Sequence, residues 1–294
     1  MLNVAFLGLG SIGRPMARRI KEAGFPLAVW NRSVERATSF AKEIGAHQAR
    51  TAADAARGAN VIITCLSTSL DVEQVVESGL IEGLEAGATL LDCTSGDPAT
   101  SKRIAARLKD KRVAFVDAPV SGGVKGANEG TLTVMCGGAA ADLDRVRPVI
   151  EAFGKKVIHC GPVGSGDAVK AMNQALLALT IWGTGEALVA LAKCGVSPSV
   201  ALEVINASSG RSNASMNLFP ERVLTRAFPR TFRLALMDKD VRIAAQIARD
   251  ERVPAPLTQL VADLCTLAHT ELGEEADHVE AVQVIERWAA TQIK

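Results

Sequence analysis

Asn3-Val-Ala-Phe-Leu-Gly-Leu-Gly-Ser-Ile-Gly13 joins an apolar, strand-forming run directly to a Gly-x-Gly-x-x-Gly turn. Pro15-Met-Ala-Arg-Arg-Ile-Lys-Glu-Ala23 then carries helical spacing, with Met16, Ala17 and Ile20 on one apolar face. Pro15 falls in the first turn, where a missing N–H costs little, and Gly24 suits the C′ position. Leu27-Ala-Val-Trp30 reads as a second buried strand. Strand, glycine turn, helix and strand in this order form a dinucleotide-binding unit. Gly8 makes the tight turn, Gly10 admits a pyrophosphate against the backbone, and Gly13 lets helix and strand close up. Leu9, Ser11 and Ile12 complete the turn, whose N–H groups lie at the positive end of the helix.

The residues after the second strand bear on cofactor choice. An NAD site commonly offers Asp or Glu there to the ribose hydroxyls. This chain has Asn31-Arg32-Ser33, with no carboxylate before Glu35. Arg32 can stack or pair with a 2′-phosphate, and Asn31 and Ser33 can donate hydrogen bonds to it. The reading is NADP(H) over NAD(H). A solvated Arg32 with no ligand is the alternative.

Further strand-like runs lie at Val61–Cys65, Thr89–Cys93, Val113–Val116, Leu132–Cys136 and Val157–Cys160. Helical patterns at Val34–Ile44, Leu70–Glu77, Ala99–Leu108 and Asp142–Phe153 alternate with them, and Pro98 can open the third. Such alternation predicts βαβ units and a mostly parallel sheet. Gly122, Gly123 and Gly126 predict a loop. After Gly161-Pro-Val-Gly-Ser-Gly166 no convincing strand follows. Asp167–Lys193, Pro198–Asn206, Arg233–Asp250 and Pro256–Leu272 all read as helices. The expectation is an α/β, Rossmann-type dinucleotide-binding domain over 1–162 and an all-α domain over 163–294.

Length and composition agree. A chain of 294 residues exceeds what one core usually organises, and 48% hydrophobic residues supply two. The formal charge of +1 is balanced in both halves, which argues against nucleic acid or a membrane surface as partner. The six cysteines form no Cys-x-x-Cys pair and mostly sit in apolar runs, as reduced cysteines do. Such cysteines predict a cytoplasmic location, and no signal peptide is read, because Met1 leads straight into the first strand. Ala175–Ala192 is apolar but contains Gly183, Gly185 and Glu186, and reads as a buried helix rather than a membrane span.

A nicotinamide enzyme acting on an alcohol needs a group to take and return the hydroxyl proton. The chain has no tyrosine. None of its four histidines has an acid–base or metal-ligand pattern around it, and no Cys/His cluster has zinc spacing, so no metal is expected. Lysine is left. Lys170 lies about one turn into the long helix, with Asn173 at i+3 on the same face. A lysine there, desolvated and close to a positive nicotinamide ring, is tuned to exchange a proton near neutral pH.

Taken together, Gly8–Gly13, Asp117-Ala-Pro-Val-Ser-Gly-Gly123 with Gly130-Thr-Leu-Thr-Val-Met135, Gly164-Ser-Gly-Asp-Ala-Val-Lys-Ala-Met-Asn-Gln174 and Lys239-Asp-Val241 resemble the β-hydroxyacid dehydrogenase family. That group includes 3-hydroxyisobutyrate dehydrogenases and tartronate semialdehyde (2-hydroxy-3-oxopropionate) reductases and is similar in fold to 6-phosphogluconate dehydrogenase. The resemblance spans essentially the whole chain. It implies an all-α domain of the 6-phosphogluconate dehydrogenase type, used for substrate binding and dimerisation, and a homodimer or homotetramer. It implies that Ser121, Gly122 and Gly123 hold the substrate carboxylate, that Lys170 is the general acid/base and that Asn173, with Gln174 beside it, contacts substrate. Leu66, Ser67 and Ser95 would line the cofactor and Lys239 would reach it, unless Lys239 is only an ion pair with Asp238 or Asp240.

The chain departs from the family pattern twice: Lys-Asp-Leu is Lys239-Asp-Val241 here, a mild change on an apolar face, and the other departure bears on substrate. The family's common Asn-Asn is Asn173-Gln174 here, as in tartronate semialdehyde reductases, whereas Ser208-Ser-Gly-Arg211 looks like the 3-hydroxyisobutyrate branch. The resemblance implies a small β-hydroxy acid or its semialdehyde as substrate. The rivals are a cofactor-binding interaction protein without turnover and an imine reductase; the family's imine-reducing relatives replace the lysine at 170.

Overall fold

A computed structural model describes all 294 residues. The chain forms two compact units, Met1–Lys170 and Ala171–Lys294.

The first unit is built on β1 (Val4–Leu7), α1 (Gly13–Glu22), β2 (Leu27–Trp30), α2 (Val34–Ile44), β3 (His47–Gln48), α3 (Ala52–Ala56) and β4 (Val61–Thr64). Next come α4 (Ser69–Val75), running through a π turn into α5 (Ile81–Gly83), then β5 (Thr89–Asp92), α6 (Pro98–Lys109) and β6 (Ala114–Asp117). β7 (Val120–Ser121), α7 (Gly123–Glu129), β8 (Leu132–Gly137), α8 (Ala140–Ile150) and β9 (Gly154–Gly161) complete it. The strand order is β3-β2-β1-β4-β5-β6-β8-β7, with β9 also on β8. β1 to β6 are parallel, the doubly wound order of a Rossmann domain. The alternation of side chains along each strand explains why both faces are covered. Val4 and Phe6 pack with α1, α2 and α8 residues such as Ile20, Phe40 and Val146. Ala5 and Leu7 pack with α3, α4 and α6 residues such as Ala56, Val72 and Ile104. Each fully buried leucine or isoleucine contributes about 1.5–3 kcal/mol.

The ends of these elements follow local chemistry. Asp97 caps α6 by accepting from the Ala99 and Thr100 amides, and Pro98 takes the first helical position. Thr68 and Asp71 form a reciprocal capping box at α4. α2 stops at Gly45, which is left-handed.

The sheet is mostly parallel, as the alternation predicts, with β8 antiparallel to both β6 and β7 at one end. Other expectations need correction. Ala28 and Trp30 are only half-buried, so β2 alternates rather than being buried throughout. The predicted loop at Gly122–Gly126 is helix α7. Its glycines bracket it: Gly122 enters at φ +135° and Gly130 leaves at φ +69°, both in the region that favours glycine. Gly126 inside the helix lies against Leu132, where an added Cβ would sit 3.2 Å from the side chain. The short strands β3 and β7 and helix α3 fall outside the expected set.

The second unit is all-α. Its elements are α9 (Ser165–Lys193), which begins in the first unit, α10 (Pro198–Asn206), a π-helical stretch Ala214–Val223, α11 (Leu234–Asp250), α12 (Pro256–Leu272), a 3₁₀ turn His278–Ala281 and α13 (Val282–Ala289). α9 is long and apolar enough to cross a membrane by length and composition. Ala171, Ala175, Ala178, Ile181, Trp182 and Leu188 on it nevertheless lie in the unit's core with Val241, Cys265 and Val282. Asp277 ties the chain before α11 to the 3₁₀ turn. Its Oδ2 accepts from the Thr231 amide (2.7 Å), the Thr231 hydroxyl (2.9 Å) and the Phe232 amide (3.0 Å). Its Oδ1 accepts from the Val279 amide (3.2 Å) and faces His278 Nδ1 at 3.0 Å.

All six cysteines are free thiols. Burial pushes Cys65, Cys136 and Cys265 up to about 12 and Cys93 well above its ordinary value. Half-buried Cys160 is also raised by burial, while Cys194 is exposed.

Candidate active site

The parallel strands deliver the residues expected to line a cofactor to one edge of the sheet, their carboxyl ends. Gly8–Gly13 follows β1, Asn31–Ser33 follows β2, Leu66 and Ser67 follow β4, and Ser95 follows β5. The glycine turn is shaped by contact. A Cβ on Gly13 would lie 2.0 Å from the Gly8 carbonyl oxygen, so the closure of α1 onto β1 admits only hydrogen there. Nothing lies within 4 Å of a Cβ on exposed Gly10, which leaves the backbone open to a large anion. The open turn ahead of the α1 amide groups fits a pyrophosphate.

Asn31 has a structural task. Its Oδ1 accepts from the Leu9 amide (3.0 Å) and its Nδ2 donates to the Ser33 carbonyl (3.2 Å). It thereby fastens the glycine turn to the end of β2. Arg32 and Ser33 beside it are exposed. Thr94 does similar work on the next loop, since its hydroxyl accepts from the Leu66 amide (3.0 Å). Ser67 is exposed and Ser95 half-buried. Ser121 ends β7 half-buried, and Gly122 and Gly123 follow it exposed.

Lys170 is 8% exposed. It lies between one and two turns into α9, and the start of that helix is bolted to the sheet by carboxylates. Asp117, at the end of β6, accepts from the Gly164 amide through Oδ1 (2.7 Å) and from the Asp167 amide through Oδ2 (3.0 Å). Asp167 accepts from the Gly96 amide through Oδ1 (3.1 Å) and from the Ser101 hydroxyl through Oδ2 (2.6 Å). Asp92 accepts from the Thr64 hydroxyl (2.8 Å) and the Thr94 amide (3.0 Å). Burial is the main force on all three. It pushes Asp92 up to about 6 and Asp117 upward against four backbone donors. It drives Asp167 well above the usual carboxylate range, with Asp117 and then Asp92 adding repulsion.

In the second unit, Asn173, Gln174 and Lys239 are brought together through a residue the motif reading named only as an ion-pair partner. Buried Gln174 donates to Asp240 Oδ2 (3.3 Å) and accepts from Asn173 Nδ2 (3.4 Å). Lys239 Nζ lies 3.1 Å from Asp240 Oδ1, with its side chain 19% exposed. Gln174 thus spends its amide on Asp240 and Asn173, and the longer side chain is what bridges them. Asn173 itself is exposed. The sequence reading gave no role to Asp92, Thr94, Asp117 or Asp167. The available signal was an Asp ending each of two buried strands and an Asp in the first turn of a helix after a glycine loop.

Residues 3–161 match the family described as the NAD binding domain of 6-phosphogluconate dehydrogenase, and residues 164–285 match the NAD-binding region of NADP-dependent 3-hydroxyisobutyrate dehydrogenase. The chain belongs to the β-hydroxyacid dehydrogenase family. Among its relatives is the NAD-dependent L-serine dehydrogenase of Pseudomonas aeruginosa, 35% identical over 91% of this chain and 92% of that one. The 3-hydroxyisobutyrate dehydrogenase of the same organism is 33% identical over 95% and 96%. The solved Mycobacterium tuberculosis 3-hydroxyisobutyrate dehydrogenase with L-serine superposes with a TM-score of 0.90 at 29% identity, covering 97% of this chain and 99% of that one. As a member of this family, the protein is an NAD(P)-dependent oxidoreductase acting on CH–OH donors.

Proposed function

We propose that this β-hydroxyacid dehydrogenase prefers NADP(H) and interconverts a small β-hydroxy acid with its semialdehyde, using Lys170 as general acid/base. The observation that carries the reading is Lys170 itself: a buried lysine on a helix whose first turn is fastened to the cofactor domain. When bound, the nicotinamide accepts or returns a hydride at C4. In oxidation Lys170 takes the hydroxyl proton as the carbinol C–H bond breaks and the carbonyl forms. In reduction it returns that proton to the forming alkoxide. Ser121 and the Gly122–Gly123 turn offer a hydroxyl and backbone N–H groups to the substrate carboxylate, and so select which carbon is presented. Asn173 orients the substrate oxygen, with Gln174 and Asp240 holding Asn173 and Lys239. Lys239 contacts the cofactor.

Residues 1–162 serve the cofactor, and residues 163–294 serve substrate binding and assembly into a homodimer or homotetramer. Exposed Leu176, Val200, Val204, Leu257 and Leu260 on the helical unit support that assembly. The exposed Arg32-Ser33 pair beyond β2, with no carboxylate, supports NADP(H).

The experiment is an initial-rate matrix of both cofactors against short β-hydroxy acids and semialdehydes, with serine and cyclic imines included. The expected result is NADP(H)-linked turnover on one or two carboxylated substrates. Lys170→Ala is expected to lower kcat by at least ~10²-fold with cofactor binding retained. Arg32→Ala is expected to raise KM for NADP(H) about tenfold with little effect on NAD(H). Turnover on imines alone, or cofactor binding with no turnover, sinks the reading.

A further inference from the structure

The reading of Lys170 leaves unused a buried group one turn before it. Asp167 is 1% exposed and sits on the same face of α9 as Lys170, at i−3. It is the link between this helix and two other elements: Gly96 on the loop after β5 and Ser101 on α6. Its own backbone N–H is held by Asp117. The packing around these carboxylates is tight. A Cβ on Gly166 would sit 2.8 Å from Asp117 Oδ2, and one on Gly137 would sit 2.5 Å from Asp117 Oδ1. A Cβ on Gly96 would lie 3.0 Å from Asp167 Oδ1. A Cβ on Gly166 or Gly137 would collide with the Asp117 carboxyl and one on Gly96 would crowd Asp167 Oδ1, so both acids sit in close-packed surroundings.

The two acids differ in what surrounds them. Asp117 has backbone N–H groups on both oxygens, an environment that solvates a negative charge. Asp167 has one backbone N–H and one hydroxyl, and a hydroxyl can accept as readily as donate. The titratable groups around it are Asp92 on β5, Asp117 on β6 and Lys170 on its own helix; α6 presents the neutral Ser101. Beyond Asp117 lie the thiols of Cys136 on β8 and Cys160 on β9. Buried neighbouring carboxyls avoid ionising together, and the better-solvated one keeps the charge.

We propose that Asp167 is a positioning residue for Lys170 that works as a neutral carboxylic acid, with Asp117 carrying the negative charge of the pair. The protonated oxygen Oδ2 donates to Ser101 Oγ, and Oδ1 accepts from the Gly96 amide. The first turn of α9 is then held from three sides, and with it the backbone of Lys170. This inference rests on the acid/base role proposed for Lys170, but its first readout does not.

Asp167→Asn, Asp167→Ala and wild type are compared. Asparagine reproduces a neutral acid: its Nδ2 donates where Oδ2–H did, and its Oδ1 still accepts. An acid whose folded pKa is raised contributes stability that is full below its unfolded pKa and is lost as pH rises towards the folded value. The melting temperature of Asp167→Asn is therefore expected to gain on wild type from about pH 4 upward, by ~2–4 °C per pH unit until Asp167 ionises. This readout needs no turnover. In kinetics, Asp167→Asn is expected to keep kcat within about threefold. Asp167→Ala, which leaves the turn untethered, should lose about 10–100-fold in kcat with cofactor KM held. Should the alanine variant fail to fold, Ser101→Ala tests the same tether from its other end, and a fall in kcat of several-fold is expected.

An asparagine variant that fails to fold, or falls as far as alanine, overturns the neutral acid. So does a melting-temperature gap that is flat or shrinks with pH. A kcat kept in both Asp167→Ala and Ser101→Ala overturns the positioning role. Loss of the Lys170 reading alone would show as turnover surviving in Lys170→Ala, with the pH-dependent gap unaffected.

Discussion

Asp167 in the first unit and Asp277 in the second are the same residue type, each about 1% exposed and each tying a chain segment to its neighbours. They titrate in opposite directions. Asp167 is pushed well up by burial, with Asp117 and Asp92 adding to the push. At Asp277 burial is again the largest single influence and acts upward, but the combined hydrogen bond and charge of His278, with the Phe232 and Thr231 amides, outweighs it and holds the carboxyl below its usual range. Burial alone therefore does not set the protonation of a buried acid. The number of donors aimed at it, and the sign of its neighbours, decide.

The largest effect expected from this contrast is at Asp277. Asp277→Ala leaves His278 and four backbone or hydroxyl donors without their acceptor, and should cost about 3–5 kcal/mol in urea unfolding at pH 7. In wild type that contribution should be present above the unfolded carboxyl range and fade as the pH falls below about 4. A loss under about 1 kcal/mol would mean that water replaces the carboxylate and that the two sites differ less than argued.

Gly166→Ala probes the other site through its packing. The new Cβ would meet the Met135 carbonyl oxygen at 2.2 Å and Asp117 Oδ2 at 2.8 Å. The backbone must shift, at a cost of about 2–3 kcal/mol, and kcat should fall with it. Stability lost with kcat intact would separate the packing of this turn from the seating of Lys170.

The smallest effect carries the opposite sign. Asp92, raised to about 6 by burial, favours folding fully below its unfolded value and loses that advantage as pH rises to about 6. Asp92→Asn keeps an acceptor for Thr64 and Thr94. It should become more stable than wild type by about 1–2 kcal/mol between pH 4 and 6, with no further gain above. A gap that does not change with pH would place the charge of the cluster on Asp92.

How much of this was legible in the sequence depends on distance along the chain. Gly8–Gly13 could be read because the motif, its strand and its helix are contiguous. Lys170 and Asn173 could be paired because helical spacing puts them on one face. Asp117 and Asp167 are 50 residues apart, and only the sheet order brings β6 beside the start of α9. Asp240 was visible as a neighbour of Lys239, but its bond to Gln174 spans 66 residues. Helix α7 was hidden for a different reason, since the glycines that terminate it outweigh the five residues between its first glycine and Gly130 that carry helical information. Charge and burial, which give each carboxyl its character, have no one-dimensional signature.

The thiols carry a practical consequence. Five of the six are raised by burial and so hold little thiolate at neutral pH, whereas Cys194 is exposed one residue past the last turn of the 29-residue helix α9. A maleimide dye added to the unmodified protein should therefore attach once per chain, at the end of the same helix whose other end holds Lys170, which offers a fluorescent reporter without any engineered cysteine.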